Sequence, residues 1–167
     1  MSESSLTIGV LGGMGPRATI DLLQRIIRLT PALDDVDHIR TLVDNNPKVP
    51  SRINYLIKRQ GENPVPVLVS MAEFLESMGA DLLVMPCNTA HLYAQEIESA
   101  VRIRFLNMGE LTVELVATRD HASKVGLLAS TAIHQTKLYE SIFASRGVAT
   151  VVPNDALQSQ LMKLIMA

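Results

Sequence analysis

Residues 81–91 read Asp-Leu-Leu-Val-Met-Pro-Cys-Asn-Thr-Ala-His. The apolar run at residues 81–85 predicts a buried strand, and the polar residues after it predict a turn into a helix that begins near Ala90. In a parallel sheet, ligands bind beyond the carboxyl ends of the strands. Cys87, the single cysteine of the sequence, is therefore expected where its thiol can touch a small ligand.

Short apolar runs alternate with longer helical patterns along the whole chain. Strands are predicted at residues 6–11, 39–43, 81–85, 103–107, 125–129 and 148–152. Helices are predicted over residues 16–30, 68–78, 90–100, 109–121 and 134–145, and from residue 155. This strict alternation predicts an α/β fold with parallel sheets flanked by helices.

An internal echo indicates two similar lobes. The sequence of residues 8–13, Ile-Gly-Val-Leu-Gly-Gly, resembles Val-Gly-Leu-Leu-Ala-Ser at residues 125–130. We therefore predict a first lobe at residues 1–112 and a second at residues 113–167. The second lobe has only two recognisable strands, which are too few for a self-sufficient sheet, so it is expected to be incomplete. Uncovered sheet edges also predict a homodimer or higher self-association.

Composition excludes several classes of function. The 167 residues carry a net charge of −2, with no basic field for nucleic acid and no polybasic segment for a membrane surface. The N-terminus lacks the features of a signal peptide, and no run reaches the roughly 18 apolar residues of a membrane helix. One cysteine and four histidines without ligand spacing predict no metal site. A cytoplasmic protein is expected.

Residues 13–18, Gly-Met-Gly-Pro-Arg-Ala, fit a glycine-rich turn between a strand and a helix. Three interpretations stay open for this turn. It could bind a nucleotide, with Asp44 contacting a ribose. Pro16 within the turn disfavours this, as does the position of Asp44, which is further along the chain than the usual spacing of about 20 residues. The glycines could serve backbone geometry alone. The backbone amides and the helix N-terminus could instead hold a carboxylate.

Two further segments carry candidate binding groups. A helix start next to Cys87 favours a thiolate, and Asn88 and Thr89 can donate hydrogen bonds to a carboxylate or oxyanion. His91, one turn further on, could tune the thiol or serve the helix structurally. Arg52 ends a polar, proline-bounded stretch at residues 45–52, which is either a solvated loop or a site for a second carboxylate.

Four segments together resemble the aspartate/glutamate racemase family, and its aspartate racemase branch in particular. They are residues 12–16, 45–52, 85–91 and 126–131. The resemblance implies two α/β lobes with a small acidic amino acid, aspartate or glutamate, between them. It also implies racemisation without pyridoxal phosphate or metal, by two cysteines on opposite sides of the substrate Cα.

By this resemblance, Cys87 is the acid/base of the first lobe. The residues that the resemblance assigns to substrate binding are Asn88 and Thr89 for the α-carboxylate, Arg52 for the side-chain carboxylate, Met14, and Ser130 and Thr131 in the second lobe. The family's second cysteine has no counterpart before Ala167, so the chain is expected to be truncated relative to the family.

The leading hypothesis is therefore a cofactor-independent racemase for a small acidic amino acid, with thiol acid/base chemistry at Cα. The alternative is a catalytically impaired remnant or truncated protein that binds dicarboxylic amino acids. A lesser alternative is a nucleotide-binding α/β protein.

Overall fold

A computed structural model of the chain describes residues 6–119 and 122–166. The chain divides into two compact units, one ending at Met108 and the other starting at Gly109. Both units combine a parallel sheet with helices, which confirms the α/β prediction. None of the helices in the described ranges has the length and apolar character needed to cross a membrane.

The first unit is built on a four-stranded sheet. Its strands are β1 (Ile8–Gly12), β2 (Thr41–Asn45), β3 (Leu82–Val84) and β4 (Arg104–Leu106). The order is β2-β1-β3-β4, and every pairing is parallel. Because β1 lies between two strands and is buried on both faces, its sequence is a continuous apolar run rather than an alternating one.

Four α-helices accompany this sheet. They are α1 (Pro16–Leu29), α2 (Arg52–Leu56), α3 (Val65–Ser77) and α4 (Ala94–Ala100). Two 3-10 helices, Asp35–Asp37 and Thr89–Tyr93, complete the unit. Helix α3 packs on β1 and on α4, and its buried face contributes Leu68, Met71 and Leu75 to the core. This face has the spacing that the sequence predicts for a helix over residues 68–78.

The second unit has a two-stranded parallel sheet, β5 (Lys124–Gly126) with β6 (Ala149–Val151). Its helices are α5 (Met108–Arg119), α6 (Thr131–Thr136), α7 (Leu138–Ser145) and α8 (Asp155–Met166). Its core comprises Val113, Ile133, Tyr139, Phe143 and Val148. With two strands, this sheet is smaller than the four-stranded sheet of the first unit. The predicted end of α5, at residue 121, lies outside the described residues.

Three elements differ from the sequence prediction. The helix predicted over residues 134–145 is divided into α6 and α7 at Lys137, whose φ of 52° is left-handed. The helix predicted from Ala90 begins as a 3-10 helix and becomes α-helical only at Ala94. Helix α2 lies at the end of the stretch predicted to be a loop, where the Ser51 hydroxyl accepts a hydrogen bond from the Asn54 N–H.

Candidate active site

The candidate site lies at the carboxyl edge of the first sheet. The glycine-rich turn follows β1, residues 46–51 follow β2, and Cys87 comes three residues after the end of β3. Cys87 is 8% exposed and belongs to the main buried cluster of this unit. Met14 packs against the same cluster. The edge that the parallel fold predicts for a ligand therefore carries the candidate thiol.

The Cys87 thiol lies next to the Thr89 hydroxyl. Their Sγ and Oγ1 atoms are 3.6 Å apart, and either atom can be the donor. The Cys87 N–H donates to the carbonyl of Met85 at 2.9 Å, which folds the chain tightly after β3. Asn88 is exposed and occupies the N-cap position of the 3-10 helix, without a side-chain capping hydrogen bond. The structure thus brings the thiol and one predicted carboxylate donor into contact.

His91 has a structural role in this segment. Its ring is 4% exposed, with Nδ1 2.8 Å from the Cys87 carbonyl and Nε2 accepting from the Met108 N–H at 3.1 Å. Because Nε2 is the acceptor, the neutral ring carries its proton on Nδ1 and donates it to Cys87. Burial lowers the pKa of His91 from 6.5, although the hydrogen bond to Cys87 opposes the shift. Both ring nitrogens are therefore occupied by backbone groups, and neither contacts the thiol.

Arg52 reaches across the edge to the glycine-rich turn. Its Nη2 donates to the Met14 carbonyl at 3.4 Å. Its Nη1 donates to the carbonyls of Pro50 at 3.2 Å and Val49 at 3.5 Å. These contacts hold the guanidinium at the start of α2, which packs against the 3-10 helix Thr89–Tyr93. The buried Nε has no hydrogen-bond partner among the described residues.

Tyr93 is a candidate that sequence reasoning missed. The side chain is 5% exposed, and its hydroxyl has no partner in the part of the chain that the structure describes. Burial, then the nearby Tyr55 phenol, raises the pKa of Tyr93 to about 12, and the Arg52 charge works in the opposite direction. The phenol is therefore a neutral O–H donor at ordinary pH. In the sequence it looks like one more apolar position of a helix.

The glycine-rich turn serves backbone geometry. Gly13 has a φ of 91°, and a Cβ built on it would lie 2.3 Å from the Asn46 carbonyl carbon. Its N–H donates to the buried Thr19 hydroxyl at 3.0 Å. Pro16 has no N–H, and the amides of Ala18 and Thr19 both donate to the Gly15 carbonyl. The amides of Gly13 and Ala18 are thus engaged within the turn, and the close approach of Gly13 to Asn46 favours the structural interpretation.

The predicted second-lobe residues lie at the start of α6. Ser130 and Thr131 are half-buried, and Ser130 is the N-cap residue of the helix. The Thr131 hydroxyl accepts from Nε2 of Gln158 at 3.3 Å, and the same Nε2 donates to the Ala129 carbonyl at 2.9 Å. The Thr131 N–H faces the Met162 sulfur at 3.3 Å. Helix α8 thus covers the position to which the resemblance assigns substrate contacts.

A separate cavity of about 400 Å³ opens beside β2 and α3. Its lining includes Asp44, Asn46, Ser70 and Phe74. Burial raises the pKa of Asp44. Within the described ranges, no cluster of three or more His, Cys, Asp or Glu residues is arranged to hold a metal ion. Asp44, the candidate ribose contact, thus lines this cavity, whereas Met14, Arg52, Cys87, Asn88 and Thr89 do not.

Comparison with known proteins identifies the family. The family model for Asp/Glu/hydantoin racemases matches residues 11–167. The chain belongs to this family. It is 28% identical, over 164 residues, to the broad specificity amino-acid racemase RacX of Bacillus subtilis (strain 168). That match covers 96% of this chain and 70% of the relative.

Solved structures agree with this assignment. An aspartate racemase from Picrophilus torridus superposes with a TM-score of 0.85 at 31% identity, over 97% of this chain and 67% of that one. An aspartate racemase homologue from Pyrococcus horikoshii OT3 superposes with a TM-score of 0.80 at 22% identity, over 96% and 70% of the two chains, and supports the fold alone. The resemblance stated from the sequence motifs is confirmed at the level of the family.

Proposed function

We propose that this chain acts on the Cα–H bond of a small acidic amino acid, aspartate or glutamate, as a cofactor-independent racemase. The observation that carries this proposal is the position of Cys87 at the carboxyl edge of the sheet, with the Thr89 hydroxyl 3.6 Å from its sulfur. Arg52 supplies a cation at the same edge through its link to Met14. Family membership of the chain supports the reaction class.

Removal of the α-proton requires a base and groups that stabilise the negative charge that develops. The Cys87 thiolate takes the α-proton, and negative charge then develops on the α-carbon and its carboxylate. Hydrogen bonds from Asn88 and Thr89 to that carboxylate stabilise the developing charge. Arg52 binds the side-chain carboxylate and holds the substrate in register with the thiol. In the second unit, Ser130 and Thr131 are proposed as further substrate contacts.

A second candidate function is favoured by the cysteine count. Inversion by thiols requires one acid and one base on opposite faces of Cα, whereas this sequence has one cysteine. A protein with Cys87 alone would bind dicarboxylic amino acids and exchange the α-proton of one enantiomer without inverting it. The two candidates share the same binding groups and differ in the product.

Deuterium exchange separates these candidates. The purified protein is incubated with L-aspartate and with D-aspartate separately in D2O, and the Cα proton and the chirality are followed by NMR and chiral chromatography. Cys87→Ser serves as the control, since it keeps a similar shape but has a far less acidic proton. Glutamate and non-acidic amino acids are tested in the same way, because one relative is named as a broad specificity racemase.

Each outcome has a definite meaning. Exchange with inversion that depends on Cys87 supports the racemase and requires a second base. Exchange of one enantiomer without inversion supports the one-sided site. Absence of exchange with every amino acid would overturn the catalytic proposal and leave the binding function.

We also propose that the chain self-associates. The second unit presents Val151 and Val152 at its two-stranded sheet and Leu128 after β5, all of them exposed. An exposed strand edge with apolar side chains beside it can pair with another chain. Sedimentation velocity at micromolar concentration is expected to show a dimer or larger species. A compact monomer would contradict this proposal.

A further inference from the structure

Two buried hydrogen-bond donors on α2 and the adjacent 3-10 helix have no acceptor within the described ranges. They are Nε of Arg52 and the hydroxyl of Tyr93. An unpaired buried donor costs about 1–3 kcal/mol, and more when it is charged, so native structures keep few of them. Two such donors at the carboxyl edge of one sheet indicate that an acceptor binds there.

The two donors come from neighbouring elements. Arg52 opens α2, and Tyr93 ends the 3-10 helix against which α2 packs. Tyr93 belongs to the same buried cluster as Cys87, and Tyr55 of α2 packs against that cluster. The pKa of Tyr93 is raised chiefly by burial, and the charge of Arg52 lowers it in part. The donors therefore share one local environment next to the thiol segment.

We propose that Tyr93 is an additional substrate-binding residue, whose O–H donates to the distal carboxylate of the acidic amino acid that Arg52 holds. This inference rests on the proposed function, which supplies the carboxylate. A carboxylate suits the pair because it is acceptor-only when ionised and has two oxygens for two donors. The Arg52 cation compensates its charge, and the neutral phenol adds a directional hydrogen bond.

Burial of the two donor atoms strengthens their hydrogen bonds to a carboxylate. Both donor atoms are shielded from solvent in the structure. Hydrogen bonds in such a low-dielectric environment are stronger than in water, and an incoming acceptor satisfies groups that were already desolvated.

The test compares two tyrosine-to-phenylalanine variants of the full chain. Tyr93→Phe removes the unpaired hydroxyl. Tyr139→Phe is the matched control in the second unit, since Tyr139 is equally buried but its hydroxyl shares a hydrogen bond with Thr112. L-aspartate binding is measured by calorimetry, and thermal unfolding is followed by circular dichroism.

We expect opposite results for the two variants. Tyr93→Phe should weaken aspartate binding by about tenfold or more, the effect of losing one hydrogen bond to a charged group. Its Tm should equal or exceed that of the wild type, because an unpaired polar group has been removed from the free protein. Tyr139→Phe should lower the Tm and leave aspartate binding unchanged.

Failure of this inference differs from failure of the proposed function. If Tyr93→Phe binds aspartate like the wild type, or lowers the Tm as Tyr139→Phe does, Tyr93 has only a structural role. If the wild type binds aspartate but does not exchange its α-proton, the racemase proposal fails. Aspartate binding by Tyr93→Phe then still decides whether Tyr93 is a binding residue. If the wild type binds neither aspartate nor glutamate, both proposals are wrong.

Discussion

The ends of β3 and β5 use similar residue types in different ways. After β3, the Cys87 thiol contacts the Thr89 hydroxyl, and two donors nearby, Nε of Arg52 and the hydroxyl of Tyr93, have no acceptor among the described residues. After β5, the Thr131 hydroxyl already accepts a hydrogen bond from Gln158. Near the end of β3, two donors therefore lack an acceptor among the described residues, whereas after β5 the Thr131 hydroxyl is hydrogen-bonded within its own unit.

This contrast shows what residue types at a strand end can and cannot predict. The sequence echo pairs β5 with β1 rather than with β3, yet hydroxyl residues follow both β3 and β5. Whether such residues are available to a ligand depends on what packs over them. In the second unit the cover is α8, which contributes Gln158 and Met162. The comparison can be tested by changing one side of it at a time.

The largest expected effect concerns the thiol. Cys87→Ala removes the proposed base and should lower the rate constant for α-proton exchange by about a thousandfold, within the usual range for loss of a general acid/base. The rate is measured by NMR in D2O with the reactive enantiomer. Far-UV circular dichroism of the variant verifies the fold. Rapid exchange retained in Cys87→Ala would remove this residue from the mechanism.

The next largest effect is a difference in stability between alanine variants at Gly9 and Gly126, which occupy equivalent positions in the sequence echo. A Cβ on Gly9 would lie 2.7 Å from Cδ2 of Leu83 and 2.9 Å from Cβ of Ala80, whereas one on Gly126 meets nothing within 4 Å. Gly9→Ala should therefore lower the free energy of unfolding by about 1–3 kcal/mol through overpacking. Gly126→Ala should be neutral or slightly stabilising. Guanidinium unfolding of both variants measures the difference, and equal losses would contradict the packing contrast.

A smaller effect is expected from the pH dependence of His91. Burial lowers its pKa below 6.5, so the unfolded chain binds this proton first as the pH falls. The stability from neutral His91 is thus complete above pH 6.5 and is lost as the pH falls toward the lowered pKa. The slope is at most about 1.4 kcal/mol per pH unit for one proton.

The check is guanidinium unfolding at several pH values, for the wild type and for His91→Gln. Glutamine keeps a donor and an acceptor but does not titrate. The wild type should lose more stability than His91→Gln between neutral and mildly acidic pH. Identical pH profiles would show that His91 does not contribute to the acid sensitivity of the protein.

The periodicity of the sequence was sufficient for the architecture but not for every element. Continuous apolar runs such as residues 6–11 predicted the strands, because buried parallel strands need apolar side chains on both faces. Helix α2 was missed because Pro47 and Pro50 precede it closely, although Ser51 as N-cap residue was a usable signal. The break at Lys137 had no signal, since a left-handed lysine is held by its surroundings rather than by its own preference.

The candidate site was predictable only in part. Residue types and strand ends pointed to Cys87, Thr89 and Arg52, but their assigned roles stay proposals. The role of His91 depended on its two backbone partners, one of them the distant Met108. Tyr93 could not be found from the pattern, because an unpaired hydroxyl is a property of the packed structure. The sequence shows which polar groups exist, and packing determines which of them lack partners.

The smallest predicted effect concerns the contacts that α8 makes with the residues after β5. Gln158→Ala removes the hydrogen bonds from Nε2 to the Ala129 carbonyl and the Thr131 hydroxyl. The free energy of unfolding should fall by about 1 kcal/mol, because these acceptors are only partly buried and regain water. Ser159→Ala is the matched control on the same helix, where an exposed hydroxyl bonds only to Asp155 of its own helix, and it should be neutral. If Gln158→Ala also strengthens aspartate binding, Thr131 is a substrate contact that Gln158 masks, whereas unchanged binding would show that this hydroxyl belongs to the fold alone.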